Sequence, residues 1–193
     1  MPEATRSIGG YGATFGSTAV APTTTGEFVA YRFAASAFDA WLRGVRFEAR
    51  TVPVKWAHGG DGLPGTFGYV RAASIDEIGV RVVCELEDSP ASRLLLDAAD
   101  GGWLGFSCHG KPSSDRNSGE MIDGRPLYII ESSSIEEVSL CLRETCADPA
   151  AVITMVGGRE AAYRAKVIDA TFRRLFGARP SSGPRWLAAG FGR

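Results

Sequence analysis

Apolar and polar residues alternate along most of this chain, with a period close to two. Ile78 to Glu87 is the clearest case: Val80, Val82, Cys84 and Leu86 fall on one side, and Arg81, Val83 and Glu85 on the other. That alternation predicts a half-buried strand of an antiparallel sheet. Similar signals predict strands over the glycine-rich stretch 8–16, Glu27 to Phe33, Thr51 to His58, Thr66 to Ala73, the segment to Gly110 that follows a tight turn at Gly101-Gly102, Pro126 to Glu131, Ile135 to Arg143 and Ala151 to Val156. Helical spacing interrupts them three times. Phe38, Trp41 and Leu42 predict a short helix over 35–43. Ser89 and Pro90 suit a cap and a first helical turn for 91–99, with Leu94, Leu95 and Leu96 expected to face inward and Gly101 as the stop. Tyr163, Val167, Ile168, Phe172, Leu175 and Phe176 predict an amphipathic helix over 159–176. The polar, turn-rich run 111–124 predicts a mobile surface loop.

Many short antiparallel strands with two or three helices imply a mainly β, α+β fold, a closed or nearly closed β-barrel ringed by helices. The 193 residues suit one domain, over residues 1–157, followed by a basic helix and flexible tail over 158–193. No internal repeat is present.

Charge modifies this picture in one place. The net charge is -1, which gives no electrostatic case for nucleic acid or membrane as a partner. Residues 158–193 nevertheless carry eight Arg or Lys against Glu160 and Asp169, so an acidic body is followed by a basic tail. The polar N-terminus, Met1 to Ser7, lacks the apolar core of a secretory signal, and no apolar run reaches the ~18 residues of a membrane span. The expectation is a protein that is not secreted, with Cys84, Cys108, Cys141 and Cys146 as reduced thiols. Cys141 and Cys146 with His58 and His109 lack the paired spacing of a zinc site, so neither metal nor cofactor is expected.

The candidate chemistry lies in three of the strands. Gly101 to Gly110 holds Ser107 between small residues, which leave room for a substrate backbone. A serine hydroxyl needs a base to become a useful nucleophile. The chain has two histidines, His58 and His109. His58 ends a strand beside Gly59-Gly60-Asp61-Gly62. His109 lies two residues beyond Ser107, on the same face of its strand at ~6–7 Å, and so does not point directly at the hydroxyl. Glu137 is an ionisable residue in the apolar run Ile135 to Cys141, a costly position without a partner. A carboxylate there could orient the His58 ring so that its other nitrogen faces Ser107. A Cys108-based hydrolase is a weaker alternative, because Cys108 should face away from the Ser107 side.

The ordered set Tyr11-Gly12 with Phe15-Gly16, Val52-Pro53-Val54 to His58, Gly79-Val80, the helix at 90–99, Gly102 to Ser107, Ile135-Glu136-Glu137-Val138-Ser139-Leu140-Cys141 and Ala147 to Ile153 resembles the prohead (procapsid maturation) proteases of tailed bacteriophages. The resemblance covers roughly residues 8–155. It implies a serine endopeptidase with the β-barrel fold of the herpesvirus assembly proteases. Such an enzyme works inside the procapsid in the host cytoplasm, on a major capsid or scaffold protein and on itself. His58 matches the family's catalytic histidine, Ser107 its nucleophile and Glu137 its acidic third member. Two departures stand out. Cys108-His109-Gly110 follows the serine where phage enzymes usually have Ile-Gly-Phe, which gives His109 a claim to an accessory place. The herpesvirus enzymes' oxyanion-supporting arginine pair is represented only by Arg143, at different spacing. The resemblance leaves room for a homodimer, and for an inactive capsid-interior scaffold protein that retains the fold.

Overall fold

A computed structural model describes residues 6–23, 25–59, 65–148 and 150–160. The expected helix over 159–176 and the tail beyond it lie, from residue 161 onward, outside the described residues. The described part is mainly β with two α-helices, in line with the α+β expectation. One mixed sheet organises it. Its strands are β1 (Ser7–Thr14), β2 (Ala19–Pro22), β3 (Phe28–Phe33), β4 (Pro53–Trp56), β5 (Gly68–Ile75), β6 (Gly79–Leu86), β7 (Leu104–Ile122), β8 (Arg125–Leu142), β9 (Ile153–Val156) and β10 (Arg159–Glu160). The path runs β10-β9-β1-β6-β5-β4-β8-β3-β2, with β7 paired to β8.

β8 is the strand on which the others converge. β7 runs antiparallel along one side of it. On the other side β3 pairs parallel with residues 127–130 and β4 pairs parallel with residues 138–140. A strand covered on both edges and one face can bury a continuous run, and Glu137 to Cys141 are all buried. The alternation read at β6 holds: Val80, Val82, Cys84 and Leu86 are in the core.

The sheet is not closed into a barrel by a continuous ladder. β7 meets the start of the β9 segment only at the Gly105–Val152 bridge, beside the Phe106 N–H to Ala151 C=O hydrogen bond of 3.0 Å. The chain between β8 and β9 begins in a 3₁₀ turn (Arg143–Thr145) and then coils around buried Asp148. Asp148 accepts from the Thr14 and Ala150 N–H groups and from the Thr14 and Ser17 hydroxyls. These bonds satisfy the carboxylate and tie the end of β1 to that coil. Glycine is needed where β1 passes it, because a Cβ on Gly10 would collide with the Val152 carbonyl.

Several boundaries differ from the sequence reading. The expected loop over 111–124 is the outer half of β7, which forms a long hairpin with β8, and the two strands expected between 126 and 143 are one strand. Residues 111–122 are polar because the hairpin arm is exposed, so polarity there marks solvent on the strand and not the absence of one. Asp123-Gly124, with φ of 49° and 76°, forms the tight turn. The first helix, α1, starts late, at Asp39–Gly44. The main chain before it is committed elsewhere: Ala34 N–H donates to Ile130 C=O, and Ala37 C=O accepts from Ser133 N–H. The second helix, α2 (Pro90–Asp100), has the Ser89 cap, whose hydroxyl accepts from the Ser92 N–H at 3.0 Å. Leu95 is buried, Leu96 packs at the core edge, and Leu94 is 70% exposed, contrary to its expected inward position. Three adjacent leucines span too wide an arc of a helix for all to face one side.

Candidate active site

Cross-strand register gathers the site. Ser107 of β7 lies opposite Ser139 of β8, and His109 lies opposite Glu137. Lys55 of β4 is the parallel partner of the same Ser139. Side chains of paired residues share a face, so Lys55, Ser107, His109, Glu137 and Ser139 project to one side. Val54, Phe106, Val138 and Leu140 project to the other and are fully buried there. The core therefore fixes the strands, and through them the spacing of the polar face.

The histidine comes from a turn rather than from a strand end. After Trp56 the chain enters a short turn, Ala57–Gly59, in which Ala57, His58 and Gly59 have φ of 43°, 58° and 79°. The left-handed region costs a residue with a side chain roughly 1–2 kcal/mol. The turn folds the imidazole over β8. His58 Nδ1 is 2.6 Å from Glu137 Oε1, and His58 Nε2 is 2.9 Å from Ser107 Oγ. Both are within hydrogen-bonding range, and they link the three residues expected from the sequence, in the expected order.

Glu137 is held from three directions. Lys55 Nζ lies 2.7 Å from Oε2, and the Ser139 hydroxyl donates to Oε1 at 2.9 Å. Burial pushes the carboxyl up; the hydrogen bonds from Lys55, His58 and Ser139 outweigh burial and hold it below its ordinary value. An ionised Glu137 accepts from His58 Nδ1–H. That tautomer leaves Nε2 as the acceptor for the Ser107 O–H. Ser107 and Glu137 are buried, whereas the His58 side chain is 41% exposed.

His109 is exposed, and its ring centroid is 6.1 Å from that of His58, in an edge-to-face arrangement. It flanks His58 without joining the hydrogen-bonded chain. The Arg143 main chain lies at the base of β7: its N–H donates to the Trp103 C=O, and its Cα lies beside Gly105. No hydrogen bond or ion pair among the described residues joins Arg143 to Ser107, His58 or Glu137. Cys108 faces the core side, where its sulfur would be 2.6 Å from a Cβ on Gly12. Burial pushes that thiol well above its ordinary range, so it is a protonated packing group and a poor nucleophile.

Sequence reading missed Lys55 and Ser139. Ser139 follows Glu137 by two, the spacing of one strand face, and that signal was available. Lys55 carried none, because a lysine on a predicted strand reads as a solvent-facing residue.

Comparison with known proteins adds no relationship: no protein-family model matches the chain, and no curated protein matches it.

Proposed function

We propose that this protein is a serine endopeptidase of the procapsid-maturation kind, with Ser107 as nucleophile, His58 as general base and acid, and Glu137 as the carboxylate that orients and balances His58. One observation carries the reading: the unbroken chain from Ser107 Oγ through both ring nitrogens of His58 to Glu137. Such a relay is what a serine needs to attack a peptide carbonyl. His58 Nε2 takes the proton as Ser107 Oγ bonds to the carbonyl carbon. The imidazolium, held by Glu137, then gives that proton to the amine as the peptide C–N bond breaks. Water repeats the cycle on the acyl-enzyme, with His58 again acting as base, and frees the new carboxyl terminus.

The substrate reading, a capsid or scaffold protein inside the procapsid, rests on the sequence resemblance. The finer fold reading, a barrel of the herpesvirus-protease type, is supported by the Gly105–Val152 bridge, which would be its seam. No helix among the described residues is long and apolar enough to cross a membrane. Co-expression with a candidate capsid or scaffold protein tests the reading. Wild type should shorten that protein on a gel, and Ser107→Ala should leave it whole. Equal processing by both would remove Ser107 from the chemistry. Processing by neither would favour the inactive scaffold protein.

A further inference from the structure

Beside the relay lies a hydroxyl with two simultaneous duties. Ser139 is fully buried, and its Oγ accepts the backbone N–H of His58 at 2.9 Å while its own O–H donates to Glu137 Oε1 at 2.9 Å. A serine has one proton to give, and here the direction of both bonds is forced, since a main-chain N–H can only donate and an ionised carboxylate can only accept. Ser139 also stands opposite the nucleophile on β7 and beside Lys55 on β4. The backbone it grips is the left-handed turn at Ala57 and His58, a conformation that persists only where its surroundings hold it.

We propose that Ser139 is a positioning residue, whose hydroxyl fastens the left-handed His58 turn to Glu137 and so keeps the imidazole aligned between Glu137 and Ser107. This rests on the serine-protease reading for its consequence in catalysis, but not for its geometry. Lys55 completes the arrangement from the far side by holding Oε2, so that the carboxylate cannot rotate Oε1 away from the ring. Without the Ser139 hydroxyl, the His58 N–H loses its partner and the turn loses its tie to β8. Glu137 keeps Lys55, so the carboxylate stays ionised while the ring drifts. A misplacement of this kind costs the rate of attack by Ser107 roughly tenfold to a hundredfold and leaves peptide binding untouched.

The test uses the full chain and two readouts, one of which needs no activity. The chain has two histidines, so ¹⁵N-histidine labelling yields two ring systems, and His109→Gln assigns them. In wild type the His58 Nδ1–H proton should appear as a protected downfield resonance. The rate constant for modification by a fluorophosphonate reports attack by Ser107. Ser139→Ala should fold, with a melting temperature within a few degrees of wild type. It should lose the protected resonance and react about tenfold to a hundredfold more slowly. Ser139→Thr, which restores a hydroxyl, should recover part of both. Retention of the resonance and of the reaction rate in Ser139→Ala would overturn the proposal, as would equal losses in the Thr and Ala variants at equal stability. A wild-type resonance that vanishes in Ser139→Ala, in a protein that never reacts with the probe, would sustain the positioning role and reject the protease.

Discussion

Glu137 serves three neighbours at once. Its Oε2 faces Lys55 and its Oε1 faces both His58 and Ser139. Replacing it by Gln keeps the shape, removes the charge and presents an N–H where an acceptor is needed. Turnover should fall by as much as ~10⁴-fold, as for the loss of a triad carboxylate. Glu136 is exposed, so Glu136→Gln should cleave substrate at close to the wild-type rate. Steady-state kinetics of the two variants checks the pair. The same carboxylate gives a pH dependence to stability. Its folded value lies below the ordinary 4.5, so the unfolded chain binds the proton more tightly. The stabilisation is therefore complete above the ordinary value and is lost as pH falls through the lowered one. Melting curves of wild type and Glu137→Gln should converge as the pH falls below that ordinary value.

At the scale of elements, the hairpin β7–β8 supplies Ser107, Glu137 and Ser139 from its base and extends an exposed arm beyond them. The arm turns at Asp123-Gly124, and Gly124 has φ of 76°. Gly124→Val places a β-branched residue in the left-handed region, at a cost of roughly 1–2 kcal/mol. Amide hydrogen exchange should quicken over 117–129 and stay unchanged over 104–108 and 137–141, with Ser107 reactivity intact. Uniform acceleration along both strands would mean that the arm and the base open as one unit. This hairpin also shows where sequence reading succeeds and fails. Its base was legible because Glu136 and Glu137 interrupt an apolar run, and because Ser107 lies between Gly105 and Gly110. Its arm was not, since both faces of β7 beyond Gly110 meet water and no alternation survives to announce a strand. The Asp-Gly pair was the remaining signal. The His58 turn was illegible for another reason: three successive positive φ values, two of them at residues with side chains, follow from tertiary hydrogen bonds and not from local preference.

At the scale of the molecule, the sheet brings together site segments separated by as many as 81 residues, and it does so through the core side of the same strands. Val54, Phe106, Val138 and Leu140 lock β4, β7 and β8 in register, and the polar face inherits that register. Asp148 ties the end of β1 to the coil before β9, and the Gly105–Val152 bridge joins that coil to β7 just before Ser107. The central claim is that this assembly makes one serine hydroxyl reactive, and it can be tested without knowing the substrate. Wild-type protein is incubated with a fluorophosphonate, digested, and mapped by mass spectrometry. The predicted result is a single modification on Ser107, absent from His58→Ala and from heat-denatured protein, while a thiol alkylator leaves Cys108 untouched in the native fold. A native protein that carries no phosphonate on Ser107, or is modified there equally well without His58, would contradict the claim.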